Sequence, residues 1–258
     1  MIALFAALEM EARPLLRRLR GAQRSRFGGF PVAIGSYLGQ PVLLCQTGLG
    51  KRAAAAATVI IDHYQPQAVV SYGLAGALSP DLVAGDVAVC ERTCLDGAET
   101  PAEAAVSSDP GLVSLALSVG EVTPRRAGAL TVQHVVADPG EKLRLHESSG
   151  LDLVEMEGYW VGEAAGERGI PFLAVRALFD EAGHALPQIA GIVSASGRTS
   201  SLRIVPHLIR HPGHVAGLPR MARSRRLAIG VLARFLDSFI AAYRDSPRAD
   251  SLPSMEPA

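Results

Sequence analysis

Val154-Glu155-Met156-Glu157-Gly158, followed about two dozen residues later by Pro171-Phe-Leu-Ala-Val-Arg-Ala-Leu-Phe-Asp180, is the stretch on which the reading of this chain turns. Two carboxylates flank a methionine where a short apolar run, 151–154, enters a helix expected over 156–168. A third closes an apolar strand expected over 172–179. Acids set in apolar sequence are costly unless something pairs with them. A polar ligand, rich in hydroxyls and bearing nitrogen, would suit.

Outward from that stretch, strands and helices alternate. A buried strand is expected at 2–8 and a helix at 10–20, with Leu15, Leu16 and Leu19 facing inward. A hairpin follows over 32–38 and 42–46 around Gly39-Gln40. The alanine-rich run 51–64 is a helix. Short strands come at 68–72 and 85–91, a helix at 110–119, and one or two strands within 126–136. Apolar strands buried on both faces predict an α/β sheet layered by helices. The pattern loosens between Pro187 and Leu218, and an amphipathic helix is expected over about 220–243. The chain reads as one domain over 1–244, with a basic, partly apolar insertion at 187–219. The Pro- and Ser-rich end, 245–258, is expected to be disordered.

The formal charge of zero hides an asymmetry. No acidic residue lies between Glu181 and Asp237, whereas Arg198, Arg203, Arg210, Arg220, Arg223, Arg225, Arg226 and Arg234 all do. Such a block fits an anionic surface, a membrane face or a partner, with peripheral contact expected through 198–234. Nucleic acid is not expected, because aromatic residues are scarce there and no reading motif appears. Three cysteines, Cys45, Cys90 and Cys94, without a secretory leader indicate reduced thiols and a cytoplasmic setting, on the inner face of the membrane if the basic block docks. No uncharged apolar run reaches the length of a spanning helix.

Each motif has a plainer reading beside the functional one. Gly48-Leu49-Gly50-Lys51-Arg52-Ala53 formally fits the dinucleotide fingerprint, and its glycines and helix start could hold a phosphate or other anion through Gly48, Gly50 and Lys51. The next strand, Ala68-Val-Val-Ser-Tyr72, lacks the acid that would hold a ribose, so a tight strand-to-helix turn competes strongly. Gly73-Leu74-Ala75-Gly76 reads as a second small-residue turn lining the same cleft. Glu11, Glu155 and Glu157 could be first-turn acids favoured by a helix dipole. Met156 could be core filler. The plain reading is weaker for Asp180, since it ends a buried strand instead of starting a helix. His207, His211 and His214 are interrupted by Pro212 and lack acidic or thiol partners, and Cys90 and Cys94 form a single pair. No metal is expected.

Taken together, the chain resembles the purine nucleoside phosphorylases and nucleosidases over roughly 1–186 and again in the final helix. It is most similar to the methylthioadenosine/adenosylhomocysteine nucleosidases at Ala7-Leu-Glu9-Met-Glu11, Thr47-Gly-Leu-Gly50-Lys51, Gly73-Leu-Ala-Gly76, Gly85-Asp86, Val154-Glu-Met-Glu157 and Arg176-Ala-Leu-Phe-Asp180. The resemblance implies a three-layer αβα fold around a mixed, partly barrel-like sheet. It implies cleavage of a purine N-glycosidic bond, with Asp180 protonating N7 and Glu11 positioning or activating water. Glu157 would hold the ribose hydroxyls with Met156 packing under the sugar, and Glu155 is a further substrate-binding candidate. Gly76, Ala75 and Val135 would face the base, with His134 stacked on it and Phe179 nearby. Leu74 and Phe179 stand where the family usually has serines, which makes the cleft more apolar and leaves phosphate handling open. No cofactor is implied, and inorganic phosphate is left open as a co-substrate. A homodimer is implied. The basic tail is similar to the hopanoid-associated phosphorylase branch, which implies a lipid-linked adenine nucleoside such as adenosylhopane. The alternatives are a soluble methylthioadenosine, adenosylhomocysteine or futalosine nucleosidase, a non-catalytic nucleoside-binding module, and a membrane-docking protein with a dead cleft. As an acid, Asp180 needs a dry, apolar setting that keeps it protonated. Phe179 and its strand are expected to supply it.

Overall fold

The computed structural model describes residues 1–97, 104–186 and 218–247. These build one continuous sheet of ten strands. The first strand, β1 (Ile2–Ala6), is buried along its whole length and lies parallel to both β4 (Gln40–Gln46) and β5 (Ala68–Ala77). Its side chains alternate between two cores. Ile2, Leu4 and Ala6 face one, and Ala3 and Phe5 face the other. That period of two, apolar on both faces, is what a strand sandwiched between helical layers requires.

The helices divide accordingly. On one face lie α1 (Glu9–Leu16), α3 (Pro110–Ser118) and α6 (Leu218–Arg244). On the other lie α2 (Arg52–Tyr64) and α5 (Gly158–Gly166). The sheet is partly closed. β5 pairs with β10 (Phe172–Asp180), β10 with β6 (Val87–Leu95), β6 with β8 (Arg125–Thr131), β8 with β9 (Leu153–Glu155), and β9 returns to β5. This five-stranded ring opens at β5 into an arm formed by β1, β4, β3 (Phe30–Tyr37) and β2 (Arg20–Phe27). A short strand, β7 (Ala105–Ser107), hangs on β6. The expected layered α/β architecture with a barrel-like sheet is what the chain adopts.

Four expectations are corrected. The first helix stops at Leu16 and the chain turns into β2, whose residues are mostly exposed and carry Arg20, Arg24 and Arg26. A charged edge strand shows no apolar alternation, and its charges discourage pairing with another chain. Gly73–Gly76 is no turn, because β5 runs straight through it to Ala77. The helix expected from 156 begins at Gly158, so Glu155 ends a strand and Glu157 is the N-cap residue. Finally, α4 (Pro139–Ser149) was not anticipated. Its punctuation was present in the sequence. The Asp138 side chain accepts from the Glu141 N–H, Pro139 opens the first turn, and Gly150 closes the helix in the left-handed region. The periodicity failed because the residue facing inward is Lys142, while Leu143 is 55% exposed.

Helix α6 supports the ring from outside. Ala228, Val231, Leu232, Phe235, Leu236, Phe239, Ile240 and Tyr243 form one buried stripe at helical spacing. Asp237, on its flank, accepts a hydrogen bond of 2.5 Å from the Tyr37 hydroxyl and pairs with Arg18. The stripe begins only at Ala228, and Arg220, Arg223 and Arg226 before it are exposed. No helix among the described residues is long and apolar enough to cross a membrane. The basic stretch expected before α6, with His207, His211 and His214, lies almost wholly outside the described residues, as does the tail from 248.

If the α6 stripe is core to the domain, Phe235→Ala should cost about 3–5 kcal/mol of unfolding free energy in denaturant titrations. A loss under about 1 kcal/mol would show that the helix is peripheral.

Candidate active site

The carboxyl ends of the parallel strands meet at one edge of the sheet, the place where open α/β sheets bind ligands. β1 leads to Glu11 in the first turn of α1. β4 leads to Gly48 and Gly50, both in the left-handed region at φ 80° and 66°. β10 ends on Asp180, and β9, which runs antiparallel to β5, brings in Glu155 with Glu157 following it.

Glu11 is buried, and its two oxygens accept from different elements. Oε2 takes the Leu8 N–H at 2.8 Å and Oε1 takes the Leu74 N–H at 2.9 Å. The close approach depends on Gly73, since a Cβ there would lie 2.9 Å from Glu11 Oε1. Burial pushes the Glu11 carboxyl above its usual range, opposed by these N–H groups and by the charge of Arg176.

Glu155 and Glu157 separate in role. Glu155 is almost fully buried and ion-paired with Arg176, Nη2 to Oε2 at 2.6 Å. It also accepts from the Thr131 hydroxyl and from the N–H groups of Glu157 (2.9 Å) and Gly158 (2.6 Å). Arg176 spends its other donors on Ser71, both the carbonyl and the hydroxyl, and on its own neighbour's carbonyl at Val175. The expected substrate contact by Glu155 is therefore corrected: its oxygens are committed to the protein, and it anchors the turn that presents Glu157. Glu157 reaches across to the β4–α2 turn and accepts the Gly50 N–H at 2.8 Å. Burial, and then the charge of Glu155, push its carboxyl up to about 8.

The Gly50 contact also revises the anion reading of the glycine turn. The amide best placed to meet a phosphate already donates to a carboxylate. Lys51 is exposed and lies over the Trp160 ring, 5.3 Å from its centroid, where it acts on an aromatic face.

Asp180 sits where the register of β10 against β5 shifts. Leu178 is opposite Ala75 and Asp180 opposite Gly76, so Phe179 is bulged out and packs against the α6-side core. A bulge re-aims the following side chain. Here it points Asp180 inward, with its Oδ2 3.4 Å from where a Cβ on Gly76 would be. Ala75 and Gly76 are thus brought beside the acid, as expected. The expected apolar setting is corrected. Lys142, entirely buried, places Nζ 2.5 Å from Asp180 Oδ2, and its remaining hydrogens go to the carbonyls of Glu181 (2.9 Å) and His184 (3.0 Å). Burial raises the Asp180 carboxyl above its usual range, and Lys142 opposes that rise.

The remaining residues are less central. Met156 is half-buried against the small apolar cluster that includes Leu130, Val136 and Leu151. Val135 is exposed in the segment after β8. His134, expected to stack on a base, has a side chain 64% exposed and bonded to Glu141 at 2.9 Å. An exposed imidazole next to a carboxylate gains more from water and that partner than from an unfilled cleft.

Sequence reasoning missed Arg176 and Lys142. A charge inside the apolar run Phe172–Phe179 was the signal for the first, because a buried guanidinium demands a buried acid. Lys142 left no local signal once its helix was overlooked.

The raised carboxyl of Glu157 has a measurable consequence. Between about 4.5 and about 8 the folded state binds more protons than the unfolded one, so its stability falls as pH rises through that window. Glu157→Gln should remove part of this slope. Equal slopes for the two proteins would show that Glu157 ionises normally in the fold.

A model of the phosphorylase superfamily matches residues 1–202. Among curated relatives, the 5'-methylthioadenosine/S-adenosylhomocysteine nucleosidase of Shewanella halifaxensis is 25% identical over 222 residues, covering 79% of this chain and 96% of the relative. That of Bacillus pumilus is 30% identical over 199 residues, covering 70% and 86%. Among solved structures, the Neisseria meningitidis nucleosidase of the same name, in complex with methylthio-immucillin-A, superposes with a TM-score of 0.74 at 19% identity over 93% of this chain and 98% of that one. Futalosine hydrolase of Helicobacter pylori gives a TM-score of 0.73 at 18% identity, over 93% and 96%. The family match runs over most of the length, through Glu11, Glu157 and Asp180, and the chain belongs to the phosphorylase superfamily.

Proposed function

We propose that the protein hydrolyses the N-glycosidic bond of an adenine nucleoside. The observation that carries this reading is the gathering of Glu11, Glu157 and Asp180 at one sheet edge, each held by a different element and each pushed toward its protonated form by burial. The curated relatives that cleave such nucleosides support it.

Bond cleavage leaves positive charge on the sugar and electrons on the purine. A proton delivered to N7 makes the base a better leaving group. Asp180 is the donor. Glu157 accepts the ribose hydroxyls, and Glu11 takes a proton from the attacking water. Glu11, as a carboxylate, stabilises positive charge developing on the sugar. Gly76 and Ala75 let the base approach β5 closely, and Met156 packs under the sugar. Hydrolysis is favoured over phosphorolysis because the Gly50 N–H is engaged by Glu157 and Leu74 offers no hydroxyl to an anion.

The finer reading is a lipid-linked adenosine, of the adenosylhopane kind. It is supported by the exposed Arg220, Arg223 and Arg226 at the start of α6, which would rest on an anionic bilayer beside the site. A homodimer belongs to the same reading.

Incubation with methylthioadenosine, adenosylhomocysteine and a lipid-linked adenosine, with and without phosphate, tests this. Adenine should appear at the same rate in phosphate-free buffer, and a ribose phosphate product would overturn the hydrolytic assignment. Asp180→Asn should lower adenine release by about 100-fold or more with folding intact. Near-normal turnover would remove Asp180 from the chemistry. Neutralising Arg220, Arg223 and Arg226 should abolish sedimentation with anionic vesicles, and unchanged sedimentation would remove the membrane from the account.

A further inference from the structure

We propose that Lys142 is a positioning residue for the reaction, holding Asp180 in place and setting its strength as the acid that protonates the departing base; this rests on the nucleosidase reading above.

The geometry is that of a built site. All three ammonium hydrogens of Lys142 are satisfied, by Asp180 Oδ2 and by the carbonyls of Glu181 and His184, and the side chain has no exposure to water. A buried ammonium is costly unless paired and fully hydrogen-bonded, and here it is both. The capping by Asp138, Pro139 and Gly150 fixes α4, so Lys142 enters from a rigid element. Only one oxygen of Asp180 is engaged by the lysine, which leaves the other for N7. Among the described residues, the other titratable or charged groups near the pair are Glu181 and His184, which follow β10, and Arg220 of α6. Arg220 lies 3.5 Å from Glu181 Oε2 and 3.1 Å from His184 Nδ1.

The step balances as follows. Protonated Asp180 gives its hydrogen to N7 as the bond between the sugar carbon and N9 breaks. The electron pair of that bond passes to the purine. The sugar carbon takes the oxygen of a water whose proton goes to Glu11, and Asp180 is left as a carboxylate beside the ammonium. Lys142 stabilises that carboxylate more than the acid that precedes it, so it favours the proton-transferred state. It also makes Asp180 easier to deprotonate, so the fraction holding a proton falls at lower pH.

These two effects oppose each other and give a signature that a purely structural lysine would not. In Lys142→Met, the plateau of kcat/KM at low pH should fall by about tenfold or more, because the acid is weaker. Its alkaline limb should move to higher pH by about one unit or more, because the acid keeps its proton longer. The deficit therefore shrinks as pH rises. Lys142→Arg should return both features toward the parent, and Lys142→Met in an Asp180→Asn background should cause no further loss. A Lys142→Met profile lowered in parallel at every pH, with the limb unmoved, would overturn the inference and leave the nucleosidase reading standing.

The pair can also be read without turnover. In full-length protein carrying ¹³C-aspartate and ¹⁵N-lysine, the Asp180 carboxyl and the Lys142 Nζ signals should shift with one common midpoint. Separate midpoints would overturn the inference. This measurement needs no variant to fold, and it decides the pairing even if no nucleoside is cleaved.

Discussion

The buried pair between Glu155 and Arg176 is the constraint on which the site depends. Through it and its hydrogen bonds, four strands of the closed ring are tied at one point: β9 by Glu155, β10 by Arg176, β5 by Ser71 and β8 by Thr131. Two charges taken out of water gain little net stability over apolar residues of the same size, but removing either one leaves an uncompensated charge in the core. The pair therefore specifies an arrangement. It ties the end of β9 to the middle of β10, and through the N–H of Glu157 it fixes the residue expected to meet the sugar. The same negative charge helps keep Glu157 protonated, so one interaction sets both position and acidity.

The three acids assigned to the proposed reaction are held in three different ways. Glu11 is wrapped by backbone N–H groups, Glu157 by a single glycine amide and a like charge, and Asp180 by an ammonium. Environment, more than residue type, decides which carboxyl gives a proton and which accepts one. An apolar wall alone would keep Asp180 protonated but make it a reluctant donor. With Lys142 beside it, burial and charge pull in opposite directions, a balance suited to an acid that must part with its proton during one step.

Much of the frame was legible from the sequence because it rests on local rules. Strand β1, the β3–β4 hairpin and helices α2, α3 and α6 follow from apolar periodicity and from turn residues such as Gly39. Glu11, Glu157 and Asp180 were legible because each interrupts or ends an apolar element. What escaped depended on contacts far apart in the chain. β2 carries arginines where a strand would show alternation. Gly73–Gly76 looks like a turn until β9 and β10 are seen to flank it and keep it extended. Glu155 could be told from Glu157 only once Arg176 was placed beside it, 21 residues away. His134 was placed by resemblance, and its own chemistry sends it to solvent and Glu141.

The central claim is that Asp180 hands a proton to a purine while one of its oxygens stays on Lys142. A crystal structure with adenine bound tests it most directly. The account predicts N7 of the base within about 3 Å of the Asp180 oxygen that does not face the lysine. Adenine bound elsewhere, or bound beside β5 with N7 turned away from Asp180, would contradict it.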